Sequence, residues 1–214
     1  MKHVIIGDLH GRDVWQQVNF SKYEKAVFLG DYVDSFKRSD RVILDNLKAV
    51  IALKKRYPEK IVLLWGTHEF PYLHYPKYRC PGFRDSMQPE LTHLFNSNRE
   101  LFQMAYQRRN IIFTHAGITN TWYRRFRDSV AVYKVRTYKS SLADLLNAVE
   151  LSGYEDILYT PTHSEQAKTM TAAPFGQITW KPSRTHSTAT TSLSATARKM
   201  SPDNYAGAAN PSLI

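Results

Sequence analysis

The sequence predicts an α/β domain over residues 1–159, and three observations carry that expectation. Short apolar runs of strand length recur, each ending in glycine and polar residues. Amphipathic stretches of helical period separate them, which favours a sheet flanked by helices. Residues 160–214 then change composition so sharply that they stand apart from this pattern.

The elements follow in chain order. His3–Ile6 is the first apolar run and ends at Gly7-Asp8; Lys25–Leu29 is the second and ends at Gly30-Asp31. Asp40–Arg56 reads as an amphipathic helix. Ile61–Trp65 is the third run and leads into Gly66-Thr67-His68-Glu69. Pro71–Pro89, with four prolines, several aromatics and Cys80, reads as a long insertion loop. Pro89–Gln107 reads as a second helix, and Asn110–Phe113 as a fourth strand ending in Thr114-His115-Ala116-Gly117. Ser141–Leu151 is a third helix, its start marked by Ser141 three residues before Asp144. Beyond it, 26 of the 55 residues from Thr160 to Ile214 are Thr, Ser or Ala, with neither helical nor strand period. That tail reads as weakly ordered or linker-like.

Composition excludes several classes. No apolar run approaches the roughly 20 residues a bilayer span needs, so no membrane protein is expected. One cysteine allows no intrachain disulfide, which points to a reducing, cytoplasmic setting. The 29 basic and 19 acidic residues give a net charge of +10, favouring phosphorylated or polyanionic partners. The excess is spread out: without the tail's five basic and two acidic residues it is still 24 against 17. Nucleic acid is therefore a possible but disfavoured partner.

In open α/β sheets, ligands bind beyond the carboxyl ends of the strands. Four such ends carry Asp8 and His10, Asp31 and Asp34, Thr67 with His68 and Glu69, and His115. These are oxygen and imidazole donors, a set suited to Mn, Fe or Zn. Neighbouring strands lie about 4.8 Å apart, so residues distant in sequence can share one ion. A pair of metals roughly 3.5–4 Å apart needs a bridging ligand, and Asp31, on a middle strand end, is the candidate. An Asp after glycine at a strand end is by itself an ordinary turn former, and His3, His74 and His93 read as ordinary core or surface residues. The conjunction of four loaded strand ends carries the metal-site reading.

Gly7-Asp8-Leu9-His10-Gly11, Gly30-Asp31-Tyr32-Val33-Asp34, Gly66-Thr67-His68-Glu69 and Thr114-His115-Ala116-Gly117 resemble, in order, the motifs of the calcineurin-like metallophosphoesterases. That superfamily includes serine/threonine protein phosphatases, diadenosine tetraphosphatases, phosphodiesterases and nucleases. The resemblance covers residues 3 to about 120 and implies a β-sandwich flanked by helices, here lacking its C-terminal strands. It implies two divalent metal ions: Asp8 and His10 on the first, Asp31 bridging, Thr67 and His115 on the second. A metal-bridging hydroxide would attack phosphorus, His68 would protonate the leaving group, and Asp34 would orient His68.

Three departures bear on that carry-over. Thr67 stands where the family has Asn, giving a shorter and weaker oxygen ligand. Ser35 stands where phosphatase members carry an Arg that grips the phosphate. Arg12, Lys37 and Arg38 are the cations near enough in sequence to replace it; Arg12 and Arg38 are taken as substrate-binding, against a reading as solvated surface charge. The family's Gly-His motif has no counterpart after residue 117, where His163 and His186 are the only later histidines, so against the resemblance the tail from about residue 160 reads as frame-altered or as otherwise replacing the authentic C-terminal strands.

The expected function is dinuclear metal-dependent hydrolysis of a phosphate ester, either a small molecule or a phosphoprotein. The Phe70–Arg84 loop is a candidate for base stacking and phosphate binding, set against packing of its aromatics on the domain. Two alternatives are a nuclease or phosphodiesterase of the same fold, suggested by Arg124-Arg125-Phe126-Arg127, and a degenerate, non-catalytic member.

Overall fold

The β-branched and aromatic runs identified above become a parallel sheet. In the computed structural model, which describes residues 2–135, 141–159 and 198–199, β1 (His3–Ile6), β2 (Lys25–Phe28), β3 (Ile61–Leu64) and β4 (Phe102–Gln103) lie side by side in that order. All three pairings are parallel, with Val27 opposite Ile5 on one side and Val62 on the other. A second sheet contains β5 (Ala105–Arg108), β6 (Ile111–Thr114) and β7 (Arg198–Lys199), paired antiparallel.

Strand alternation divides the core in two. Ala26, Phe28, Ile61 and Leu63 point to one face and pack in a cluster with Ile43, Leu47, Val50 and Ile51. Those four recur at helical spacing on α1 (Asp40–Arg56), the helix read from the sequence with the same bounds. Ser39 caps it by accepting from the Val42 N–H. Val27, Val62 and Leu64 point the other way and meet Phe113 and Tyr106 of the second sheet. The β-sandwich flanked by helices is thus present. Both faces of the parallel sheet are covered, which is why its strands read as unbroken apolar runs.

The remaining helices are α2 (Phe70–Leu73), α3 (Gln88–Asn96), α4 (Asn120–Tyr133), α5 (Leu142–Leu151) and α6 (Asp156–Tyr159). The helix expected over Pro89–Gln107 is corrected: it ends at Asn96, and Phe102 onward is strand. Asn96, Ser97 and Asn98 break the helical period. The Asn98 amide donates to the Leu94 carbonyl, closing the helix end. The Asn147 side chain of α5 then takes the Met104 and Ala105 N–H groups, a long-range contact that holds the chain as it passes between sheets. The basic run at 124–127 lies on α4, with Phe126 buried between its arginines. The insertion loop contributes α2, whose Phe70 and Tyr72 are core residues, so these two aromatics pack inward.

The expectation of missing C-terminal strands, and the later histidines His163 and His186, lie outside the described residues; Arg198–Lys199, pairing with β6, are the only part of the tail described. Among the described residues no helix is long and apolar enough to cross a membrane.

Candidate metal centre

The site is assembled at the carboxyl ends of β1, β2, β3 and β6, where each strand gives way to a loop with unusual backbone. Asp8, His10, Asp31 and Asp34 all have positive φ, between 44° and 61°. Such angles are uncommon for residues with a Cβ and mark positions that surrounding structure over-determines. The β1 and β2 loops are tied together by the His10 and Gly11 N–H groups, which donate to the Asp31 and Tyr32 carbonyls at 2.8 and 3.0 Å. Glycines permit the closest approach. A Cβ on Gly30 would sit 2.5 Å from the Gly66 nitrogen, and one on Gly66 would sit 2.5 Å from Asp31 Oδ1.

Glu69, grouped with the donor residues in the sequence, does something else here. Fully buried, its carboxylate accepts from the N–H groups of Asp31 (2.9 Å), Tyr32 (2.8 Å) and Gly66 (2.9 Å). It clamps the β2 and β3 loops together. Burial and the neighbouring Asp31 charge push its pKa up to about 8, while the N–H donors favour the charged form.

Asp31 is the centre of the arrangement. Its Oδ1 accepts from the His68 N–H at 3.0 Å and from the Thr67 hydroxyl at 3.2 Å. Its Oδ2 faces three imidazoles: the Nε2 atoms of His115, His10 and His68 lie 3.5, 3.9 and 4.0 Å away. Burial alone would raise the pKa of this carboxyl, but His115, His68, the His68 N–H and His10 together hold it below the usual value.

The outward nitrogens fix what the inward ones are. His10 Nδ1 lies 2.7 Å from the Val33 carbonyl and His115 Nδ1 2.7 Å from the Leu29 carbonyl. A carbonyl oxygen only accepts, so Nδ1 carries the proton in both rings. In the neutral rings, Nε2 then presents a lone pair toward a carboxylate oxygen with no proton between them. In that neutral form the donor set is self-repelling without a cation and complementary to one, so the residues present fit a divalent metal; where no cation is bound, protonated rings can take its place beside Asp31.

Two overlapping groups of potential ligands result, Asp8–Asp31–His115 and His10–Asp31–His68, each with its donor atoms within 4.8 Å of one another. Asp31 belongs to both. In these groups Asp8 stands with His115, and His10 with His68. Thr67 sits beside Asp31 as its hydroxyl donor.

His68 is held from its far side. Its Nδ1 lies 3.1 Å from Asp34 Oδ2, and Asp34 is 1% exposed. Burial opposes charge on His68, but the Asp34 hydrogen bond and the charges of Asp31 and Glu69 outweigh it and hold the pKa above its ordinary value. Two residues that sequence reasoning left in the insertion loop complete this corner. The Tyr72 hydroxyl donates to Asp34 Oδ1 and accepts from the Arg84 N–H at 3.0 Å. Cys80 Sγ lies 3.2 Å from Asp34 Oδ2. Loops have no periodicity from which such contacts could be read, and proximity to proline and aromatics was the only signal.

The substrate-binding candidates are placed differently. Arg12 folds back on its own loop, donating to the Leu9 carbonyl at 3.1 Å and to the Asp8 carbonyl. Arg38 lies nearby, its Cβ 3.6 Å from where a Gly11 Cβ would be. The loop of Ser35 is organised by Arg84, whose guanidinium pairs with Asp40 and donates to the Ser35 and Arg38 carbonyls.

Comparison with known proteins agrees with this geometry. A curated protein of Schizosaccharomyces pombe named "Putative serine/threonine-protein phosphatase" is 36% identical over 70 residues, which is 30% of this chain and 22% of that protein. The chain thus spans less than a quarter of that relative's length. The profile of the calcineurin-like phosphoesterases matches residues 1–182. With that match over most of its length and ligand groups at four strand ends, the chain belongs to the calcineurin-like phosphoesterase family.

Proposed function

We propose that this protein hydrolyses phosphate esters using two divalent cations that share Asp31. The observation that supports this best is the convergence of three imidazole Nε2 atoms on one Asp31 oxygen within 4.0 Å. Asp8, His10, Asp31, Thr67 and His115 would hold the cations. When bound there, Mn²⁺, Fe or Zn²⁺ supplies Lewis acidity, neutralising phosphoryl oxygens and making water a nucleophile near neutral pH.

The chain's own residues perform the rest. Asp31 is fixed by the His68 N–H and the Thr67 hydroxyl, so its Oδ2 stays aimed at the imidazoles. His68 donates a proton to the leaving alkoxide; its raised pKa keeps a larger protonated fraction near neutrality. Asp34 accepts from Nδ1 and so leaves Nε2 as the atom that exchanges the proton with the substrate. Tyr72 in turn fixes Asp34.

The test is hydrolysis of p-nitrophenyl phosphate and bis-p-nitrophenyl phosphate with added Mn²⁺, comparing wild type with Asp31→Asn and His68→Ala. Manganese-dependent turnover is expected, with near abolition in Asp31→Asn; in His68→Ala a loss of about 10²–10⁴-fold is expected on phenyl phosphate, whose leaving group needs a proton, and a smaller loss on the p-nitrophenyl esters. The preferred ester distinguishes a monoesterase from a diesterase. No turnover by folded wild-type protein with any of Mn²⁺, Fe²⁺ or Zn²⁺ would overturn the reading and favour a non-catalytic member.

A further inference from the structure

Asp34, His68 and Cys80 form a third donor triangle, which shares His68 with one of the Asp31-centred groups, and its three vertices are single atoms. Asp34 Oδ2 to His68 Nδ1 is 3.1 Å, Asp34 Oδ2 to Cys80 Sγ is 3.2 Å, and Cys80 Sγ to His68 Nδ1 is 3.5 Å. A tetrahedral Zn²⁺ with ordinary bond lengths would place carboxylate oxygen, imidazole nitrogen and thiolate sulfur at separations of about 3.3 (O–N), 3.5 (O–S) and 3.6 Å (S–N). Each edge of the triangle is within about 0.3 Å of that requirement. Small side-chain rotations would therefore convert it into three-fourths of a tetrahedral shell, with solvent as the fourth ligand.

The donors also suit one class of ion. Sulfur with imidazole and one carboxylate favours a thiophilic dication such as Zn²⁺ or Cd²⁺ over Mn²⁺ or Mg²⁺. Asp34 is buried and already placed by Tyr72, whose hydroxyl occupies Oδ1 and leaves Oδ2 for the ion. Cys80 is half-buried, so the triangle can be reached from solvent.

We propose that Asp34 Oδ2, His68 Nδ1 and Cys80 Sγ form a further, inhibitory metal site for a thiophilic dication. Binding releases the thiol proton to water, and the Nδ1 proton passes to Nε2 in the neutral ring or to water from the protonated one, so that Asp⁻, Cys⁻ and neutral His balance the ion's two charges. The ion takes both atoms of the Asp34–His68 hydrogen bond and pins the imidazole from behind. Inhibition, though not binding, rests on the role proposed for His68 above.

Cys80 is the sole cysteine of the chain, so a thiolate signal reports this site alone. The experiment titrates the full-length, Mn²⁺-loaded protein with Cd²⁺ and follows the ultraviolet thiolate-to-cadmium charge-transfer band. Zn²⁺ inhibition of phenyl phosphate hydrolysis, whose leaving group needs a proton, is measured in parallel for wild type, Cys80→Ser and Cys80→Ala, each normalised to its own Mn²⁺ activity. The band is expected to saturate near one equivalent in wild type, and the inhibitory Zn²⁺ concentration to rise at least about tenfold in both variants. Absence of the band at stoichiometric Cd²⁺ would overturn the site. Equal Zn²⁺ sensitivity in wild type and both variants would overturn its inhibitory role, since Zn²⁺ would then act at the Asp31 groups. If the protein proves inactive with Mn²⁺, Fe²⁺ and Zn²⁺ alike, the proposed hydrolase reading fails while the cadmium band still decides the site.

Discussion

Glu69 offers the sharpest test of how the site is built, because its carboxylate touches three backbone N–H groups and reports on folding without any assay of activity. Replacing it with Ala strands the Asp31, Tyr32 and Gly66 N–H groups in a fully buried setting. Each buried donor left unpaired costs about 1–3 kcal/mol. The sum, about 3–9 kcal/mol, is comparable with the whole stability of a domain, about 5–15 kcal/mol. Glu69→Gln should behave differently. Its amide oxygen can take the place of Oε2 and keep the Asp31 and Gly66 bonds, but its NH₂ then meets the Tyr32 N–H head-on. That strands one donor, for a loss of about 1–3 kcal/mol. The assay is urea denaturation with chelator present, followed by the fluorescence of buried Trp15, Trp65 and Trp122. The order wild type, then Gln, then Ala is expected. An Ala variant within about 1 kcal/mol of wild type would refute the clamp. So would a Gln variant as damaged as the Ala one, since the argument rests on how many N–H groups keep an acceptor.

Three other outcomes follow from different parts of the molecule. Tyr72→Phe removes the hydroxyl that fixes Asp34, a charge-assisted bond of about 1.5–3 kcal/mol. Turnover of phenyl phosphate, whose leaving group needs a proton, should fall about tenfold, and that of p-nitrophenyl phosphate much less; equal losses on both esters would argue against a role through His68. Leu63→Ala, at a fully buried position of β3, should lower the stability by about 2–5 kcal/mol with an unchanged urea slope. His74 is half-buried beside Phe70 with Glu155 at 3.6 Å; burial first, then Arg99 and Lys77, lower its pKa against the opposing pull of Glu155 and Asp156. A depressed histidine pKa means the unfolded chain binds more protons, so His74 contributes stability above about pH 6.5 that is lost as pH falls through its folded value. His74→Gln should flatten the pH dependence of the denaturation midpoint below about pH 6.5, and an unchanged profile would show that another group governs it.

The family was legible in the sequence because its motifs are local patterns. Apolar runs ending in Gly-Asp or Gly-Thr-His mark strand ends, and strand ends in an α/β sheet converge whatever their separation along the chain. The bounds of α1 were equally local, since a Ser cap and an apolar stripe at helical spacing both lie within its own residues. Where local signals conflicted, the sequence misled: Phe102–Arg108 continues an amphipathic pattern, yet it becomes strand because β3, β6 and Asn147 supply its hydrogen bonds.

The chemical roles of side chains within the site required the tertiary structure. Glu69 and Asp31 both follow glycine-containing strand ends, yet one clamps backbone and the other faces the imidazoles. Tyr72 and Cys80 reach Asp34 across 38 and 46 residues from a loop without any period. Sequence by itself determined which donor types gather at the sheet's edge, because secondary structure is set by neighbours a few residues away. Which atom of each donor faces a metal, a proton or a backbone N–H was decided only by packing, because that depends on groups the chain brings together from tens of residues apart.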